Sequence, residues 1–191
     1  KPLLQVLPQP SETTCGPTCL HAVYRYHGEE IALERVIAET PKLEAGGTLA
    51  VLLGCHALRR GYRATLYTLN LTLFDPTWFS GAAVDLAAKL RAQQALRPHD
   101  AKLALATDGF LEYLALGGEL RMDDVSPSLL RRYLSAGVPL LAGVSGTCLY
   151  ATMRERPDGT DDDVGGAPQG HFVVLTDIRP HPREVRVADP W

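Results

Sequence analysis

Four residues near the two ends of the chain carry groups that together can perform acyl transfer: the thiol of Cys15, the side-chain amide of Gln9, the imidazole of His171 and the carboxylate of Asp189. The first two share one run, Gln9-Pro10-Ser11-Glu12-Thr13-Thr14-Cys15-Gly16-Pro17-Thr18-Cys19-Leu20. Up to Cys15 the run is polar and broken by proline. Beyond it, Leu20, Val23, Tyr24 and His27 recur at i, i+3, i+4 and i+7, which predicts a helix with a buried stripe. That helix, over 15–27, begins at the thiol and stops at Gly28. A thiol at a helix N-terminus faces backbone N–H groups without intrahelical partners and the positive end of the macrodipole, and both favour a thiolate. Gln9 adds an amide donor upstream. What the run lacks is a base.

The other end supplies one. Gly170-His171-Phe172-Val173-Val174-Leu175-Thr176-Asp177-Ile178 and Glu184-Val185-Arg186-Val187-Ala188-Asp189 are rich in β-branched and apolar residues, and they predict two strands joined by a Pro-rich turn over 179–183. Two carboxylates compete to orient His171. Asp177 shares its face of the strand, but six residues at ~3.3 Å each place it roughly 20 Å away. Folding the hairpin about 180–182 brings 189–191 back opposite His171, so Asp189 is the reachable partner.

The set Q-x5-C-G-P-T-C, G-H-F-V-V-L and A-D-P resembles the papain-like cysteine peptidases of the C39-like group, which is related to the leader peptidases that cut after a double glycine. The motifs fall at both ends of the chain in matching order, and the middle contributes a compatible layout. The resemblance implies Gln9 as oxyanion donor, Cys15 as nucleophile, His171 as base and Asp189 as the orienting carboxylate. It also implies a peptide or protein substrate with a Gly-Gly cleavage motif.

Length and composition fit a single domain over 1–191. At 191 residues with 46% hydrophobic content, the chain is long enough for one well-buried domain and short for two. A net charge of −3 without a basic stripe excludes a nucleic-acid footprint. No apolar stretch approaches the roughly 18 residues of a membrane helix. No signal-peptide pattern opens the chain, and Lys1 in place of an initiator Met leaves room for a trimmed segment or a larger parent protein. Cys15, Cys19, Cys55 and Cys148 need not act as staples in a domain of this size, which suggests a reducing, cytoplasmic setting. Cys55 reads as core filler and Cys19 as packing beneath Cys15.

The elements that position these residues follow from the pattern. Pro2, Pro8 and Pro10 make 1–14 an extended arm. Short helices are expected over 31–39, with Val36 and Ile37 inward, and over 48–60, with Thr48 as N-cap and Gly61 at the stop. A strand follows over 62–69. Asp75 caps a turn with Pro76 at its first position, and helices cover 82–96 and 101–116, with Trp78 and Phe79 packed in the core. After a short strand near Leu120, Ser126-Pro127 starts a helix ended by Gly137. A buried strand is expected over 138–144 and another over 148–153. The polar loop 154–169 reads either as a lid or as a disordered hairpin tip. His21, His27, His56, His99 and His181 show no partner pattern and are expected at surfaces or in satisfied polar spots. The fold class is α+β. The nucleophile lies on an N-terminal helical half and His171 and Asp189 on a C-terminal antiparallel sheet, with an active-site cleft between them.

Other readings of the same residues are weaker. A metal site from Cys15, Cys19, His21 and His27 fails on a helix, where His21 lies about 200° round from Cys19, and its spacing matches no usual zinc pattern. No cofactor is expected. A non-cleaving peptide-binding module of the same group usually lacks the nucleophile that is present here. Among enzymes, peptide hydrolysis, side-chain deamidation and transpeptidation of the phytochelatin-synthase kind share one first half-reaction. The reading adopted is a cysteine peptidase acting through a Cys-His-Asp triad and a thioester.

Overall fold

The computed structural model describes residues 3–43, 46–80, 84–179, 181 and 184–191. Helices and two small β-sheets make it an α+β protein. The chain divides into two compact units: a first built from Lys1–Thr48 with Pro127–Trp191, and a second from Leu49–Ser126.

The first unit opens with the arm that leads into α1 (Cys15–Tyr26). The helix ends where Gly28 turns left-handed at φ 83°, a conformation glycine adopts without steric cost. Leu20 and Tyr24 of the expected stripe are buried, whereas Val23 is half-buried and His27 exposed. Burial instead extends over Cys15, Gly16, Thr18, Cys19 and Ala22. These small side chains leave room for neighbours on several sides, so α1 is enclosed rather than laid on a surface. Helix α2 (Leu33–Glu39) packs against it through the fully buried Val36.

The second unit holds α3 (Ala50–Arg59), β1 (Thr65–Tyr67), a 3-10 turn (Pro76–Phe79), α4 (Leu86–Leu96), α5 (Ala101–Ala115) and β2 (Glu119–Arg121). β1 and β2 pair in parallel; parallel strands need a long crossover, here the helical stretch between them. Thr48 does not cap α3: its hydroxyl donates to Pro41 O at 2.9 Å, and Leu49 occupies the N-cap position without a side-chain bond. The strand expected over 62–69 shrinks to three residues. Asp75 caps the 3-10 turn as expected. Asp85 and Asp100 accept from Ala88 N and Leu103 N and start α4 and α5, so α4 begins after the expected residue 82, itself outside the described residues. The core gathers Val51, Leu52, Cys55, Phe74, Phe110 and Tyr113, with Trp78 and Phe79 packed against it. Phe74 meets Trp78, Phe79 and Phe110 edge-on.

The chain returns to the first unit with α6 (Pro127–Ser135), β3 (Leu140–Ser145), α7 (Gly146–Tyr150), β4 (Gly170–Arg179) and β5 (Glu184–Ala188). The last three strands form an antiparallel sheet in the order β3-β4-β5. β4 is central, and its adjacent residues Val173 and Val174 are both buried. Adjacent strand residues point to opposite faces, so β4 is covered on both sides. Both α1 and α6 pack against it. The expected buried strand over 138–144 is half-buried, because β3 lies at the sheet edge. The expected strand over 148–153 is instead α7. Ser145 caps it by accepting from Cys148 N at 3.2 Å, and Ala151 ends it in the left-handed region at φ 52°. Segment 154–169 is neither extended nor unbonded. Glu155 bridges to Asp161 and Ala167, and the Asp162 carboxylate accepts from Val164 N and Gly165 N.

Candidate active site

Cys15 is the first residue of α1 and is 6% exposed. The hydroxyl of Thr14 donates to Ser11 O at 2.8 Å and provides no side-chain cap to the helix. The positive end of α1 is therefore not neutralised by its N-cap residue. Pro17, in the first turn, has no N–H to satisfy. The segment before the helix is held from outside by glycine: at Gly46, φ is 87° and an added Cβ would lie 2.6 Å from Thr13 Cγ2.

One turn further along α1, Cys19 is fully buried and its Sγ donates to Phe172 O at 3.2 Å. This contact joins the turn after Cys15 to the β4 residue that follows His171. Burial, reinforced by the charges of Cys15 and Asp189, pushes the Cys19 thiol well above its ordinary range. Cys19 is thus a neutral packing thiol beneath Cys15.

His171 lies at the start of β4, opposite Val144 of β3, and is 6% exposed. Its Nε2 is 2.9 Å from Asp189 Oδ1. The hairpin delivers that contact: Val174 pairs with Ala188, so the chain past β5 runs back alongside 171–173. Asp177 pairs instead with Arg186, and a register shift between Leu175 and Asp177 breaks the alternation of β4 there. Asp189 also accepts from the Trp191 backbone N–H at 3.0 Å and from the Tyr150 hydroxyl at 2.6 Å. Burial alone would raise its pKa, but the bonds from Tyr150, His171 and Trp191 overcome it and hold the carboxyl below the usual range. The rings of Tyr150 and Trp191 flank the imidazole, at centroid distances of 5.7 Å and 6.3 Å.

Gln9 joins the same neighbourhood through its backbone. Its N–H donates to Pro190 O at 2.7 Å, which ties the arm to the residue after Asp189. The side-chain Oε1 is buried without a hydrogen-bond partner. A buried acceptor with nothing to bond is costly unless a donor arrives.

The sequence did not single out Tyr150 or Trp191 for the site. Trp191 carried a signal, two residues past Asp189 on a chain already turning back toward His171. Tyr150 carried none, because its segment reads as a strand. The other candidates fall elsewhere. Cys55 is buried in the second unit and donates to Gly109 O at 3.5 Å; burial pushes its thiol up to about 11. All four cysteines are unpaired, and Cys148 is exposed. His21 and His56 are buried rather than superficial; His21 Nε2 meets Ile31 O at 3.0 Å, and burial lowers its basicity. Among the described residues, no group of three or more His, Cys, Asp and Glu side chains could hold a metal ion, and no helix is long and apolar enough to cross a membrane. No known protein family, curated protein or solved structure matches the chain.

Proposed function

We propose that this protein is a cysteine peptidase of the papain-like, C39-like kind, with Cys15 as nucleophile, His171 as general base and acid, Asp189 as its orienting carboxylate and Gln9 as oxyanion donor. The observation that carries the reading is the 2.9 Å bond between His171 Nε2 and Asp189, on a strand against which the helix headed by Cys15 packs. Because Asp189 engages Nε2, Nδ1 is the nitrogen left to exchange a proton with Cys15. The Gln9 backbone bond to Pro190 O holds its side-chain amide beside the residue that follows Asp189, as an oxyanion donor requires.

In this mechanism His171 takes the thiol proton, and the Cys15 thiolate attacks the amide carbonyl carbon. The oxygen becomes an oxyanion held by the Gln9 amide and the Cys15 backbone N–H. His171 Nδ1 then gives its proton to the leaving amine as the C–N bond breaks. Water, deprotonated by His171, attacks the thioester and releases a carboxylic acid and the thiol. The test is a thiol-directed activity probe at neutral pH with mapping of the modified cysteine. Exposure alone favours Cys148, so chief labelling of the 6% exposed Cys15 is the informative result. Label found chiefly on Cys148, Cys19 or Cys55 would sink the reading. Mass analysis of products from peptides with and without a Gly-Gly pair then separates hydrolysis, which adds water to a cleaved peptide, from transfer, which joins fragments.

A further inference from the structure

The chemistry above has no step for Tyr150, yet its hydroxyl makes the shortest bond to Asp189. His171 Nε2 and the Trp191 N–H both hold Oδ1, at 2.9 Å and 3.0 Å, while among the described residues Tyr150 holds Oδ2, at 2.6 Å. The terminal torsion of aspartate is broad, so a carboxylate held at one oxygen still swings. Held at both, its plane is fixed.

The way the phenol is delivered also points to positioning. α7 is docked on the start of β4 by Gly146 N–H donating to Gln169 O at 2.8 Å, and by Gln169 N–H donating to Thr147 Oγ1 at 2.9 Å. A Cβ on Gly146 would sit 3.3 Å from His171 Cβ, so a bare glycine lets this short helix close against the imidazole. The helix then stops directly after Tyr150, at Ala151 with φ 52°, where a side chain is sterically disfavoured. Core packing does not demand the tyrosine there, because the residue is 37% exposed. Burial and the bond to Asp189 both raise the phenol's pKa, so it stays a protonated donor.

We propose that Tyr150 is a positioning residue for His171: it fixes the plane of the Asp189 carboxylate and, through it, the tautomer and orientation of the imidazole. Its importance for turnover rests on the peptidase reading; the clamp itself does not.

The two are tested separately. In 15N-labelled protein, imidazole signals report His171 without any substrate. Tyr150→Phe, which keeps the ring, should speed solvent exchange of the Nε2 proton about tenfold, as expected for loss of one hydrogen bond to a charged group, and should shift the titration of His171. In an Asp189→Ala background the same substitution should change neither, because a residue acting through another is not additive with it. Identical exchange and titration in wild type and Tyr150→Phe would overturn the clamp, as would an undiminished effect without Asp189. If Tyr150→Phe fails to fold, wild type still decides: a slowly exchanging phenolic proton supports the clamp and its absence refutes it. On a cleavable peptide, Tyr150→Phe should lower kcat about tenfold with KM unchanged. An imidazole response to Tyr150→Phe, with a wild-type protein that cuts no peptide and takes no label on Cys15, would remove the peptidase reading and leave the clamp standing.

Discussion

Tyr113 in the second unit and Tyr150 in the first use the same hydroxyl in opposite ways. Tyr113 is wholly buried, and its hydroxyl is shared between Ala64 O and Glu119 O at 2.8 Å and 3.0 Å. An added Cβ at Gly54 or Gly118 would strike its ring at 2.7 Å and 2.5 Å. Tyr150 is partly exposed and bonds a carboxylate. The thiols divide the same way. Cys55 donates to a backbone carbonyl inside the second unit's core, while Cys15 stands at the head of a helix beside ionisable neighbours. Backbone partners close a polar group off, whereas titratable partners leave it able to change state. On this measure the second unit is built as scaffold, and the first holds the groups to which the proposed chemistry is assigned.

The largest expected effect breaks or confirms that division. Cys15→Ala should reduce kcat/KM by on the order of 10⁴-fold or more, as loss of a catalytic nucleophile does. Cys55→Ala should leave kcat/KM unchanged and cost about 1 kcal/mol in urea unfolding, since it removes one buried sulfur. Full activity in Cys15→Ala, or a crippled but folded Cys55→Ala, would reverse the roles of the two units.

Much of the first unit was legible because its signals are local. The helix start at Cys15, the stop at Gly28 and the two-strand hairpin follow from periodicity and turn residues. Asp189 could be chosen over Asp177 because strand rise is fixed, and the register of the hairpin agrees. Legibility ends where tertiary contacts decide. Segment 148–153 has strand-like composition, but Cys148 N–H donating to Ser145 Oγ and Gly146 N–H donating to Gln169 O accompany a turn into helix α7, and with it went the chance to foresee Tyr150. The depth of α1 was also hidden, since Cys, Gly and Ala carry little stripe signal although they are buried here.

Gln9 offers the next sharpening. Gln9→Ala should lower kcat by on the order of 10²-fold, the cost of one preorganised oxyanion donor at ~2.7–4 kcal/mol, with KM little changed because the charge develops only later. The motivation is the backbone bond that ties Gln9 to Pro190, next to Asp189. A raised KM with normal kcat would make Gln9 a substrate-binding residue instead.

A smaller effect is expected from the charge on Asp189 than from its shape. Orientation of His171 needs an acceptor, and an amide oxygen is one. Asp189→Asn should therefore retain a substantial fraction of kcat/KM, and Asp189→Ala clearly less, by roughly a further tenfold for the lost hydrogen bond. The asparagine does leave an NH2 where Tyr150 now donates, so it requires the phenol to turn and accept. Asp177→Ala, paired with Arg186 down the strand, should leave kcat/KM intact. Loss of activity in a folded Asp177→Ala would reassign the orienting residue.

The smallest expected effect is on stability against pH, and its sign follows from the bonds around Asp189. Hydrogen bonds from Tyr150, His171 and the Trp191 N–H outweigh burial and hold its carboxyl below the ordinary range in the folded chain. Between that depressed value and the unfolded value of about 3.9, the unfolded chain binds more protons, so stability rises with pH. The contribution is therefore complete above the unfolded value and lost as pH falls through the folded one. Urea unfolding of wild type and Asp189→Asn across acid pH should show a constant difference above about pH 5 that shrinks below about pH 4. Its size should stay below about 1 kcal/mol, because the side chain is 29% exposed and solvent screens it. In Tyr150→Phe the fall-off should move to higher pH, since one of the bonds that depress the carboxyl is gone. An unmoved fall-off would mean that His171 and the Trp191 N–H hold Asp189 without help from the phenol.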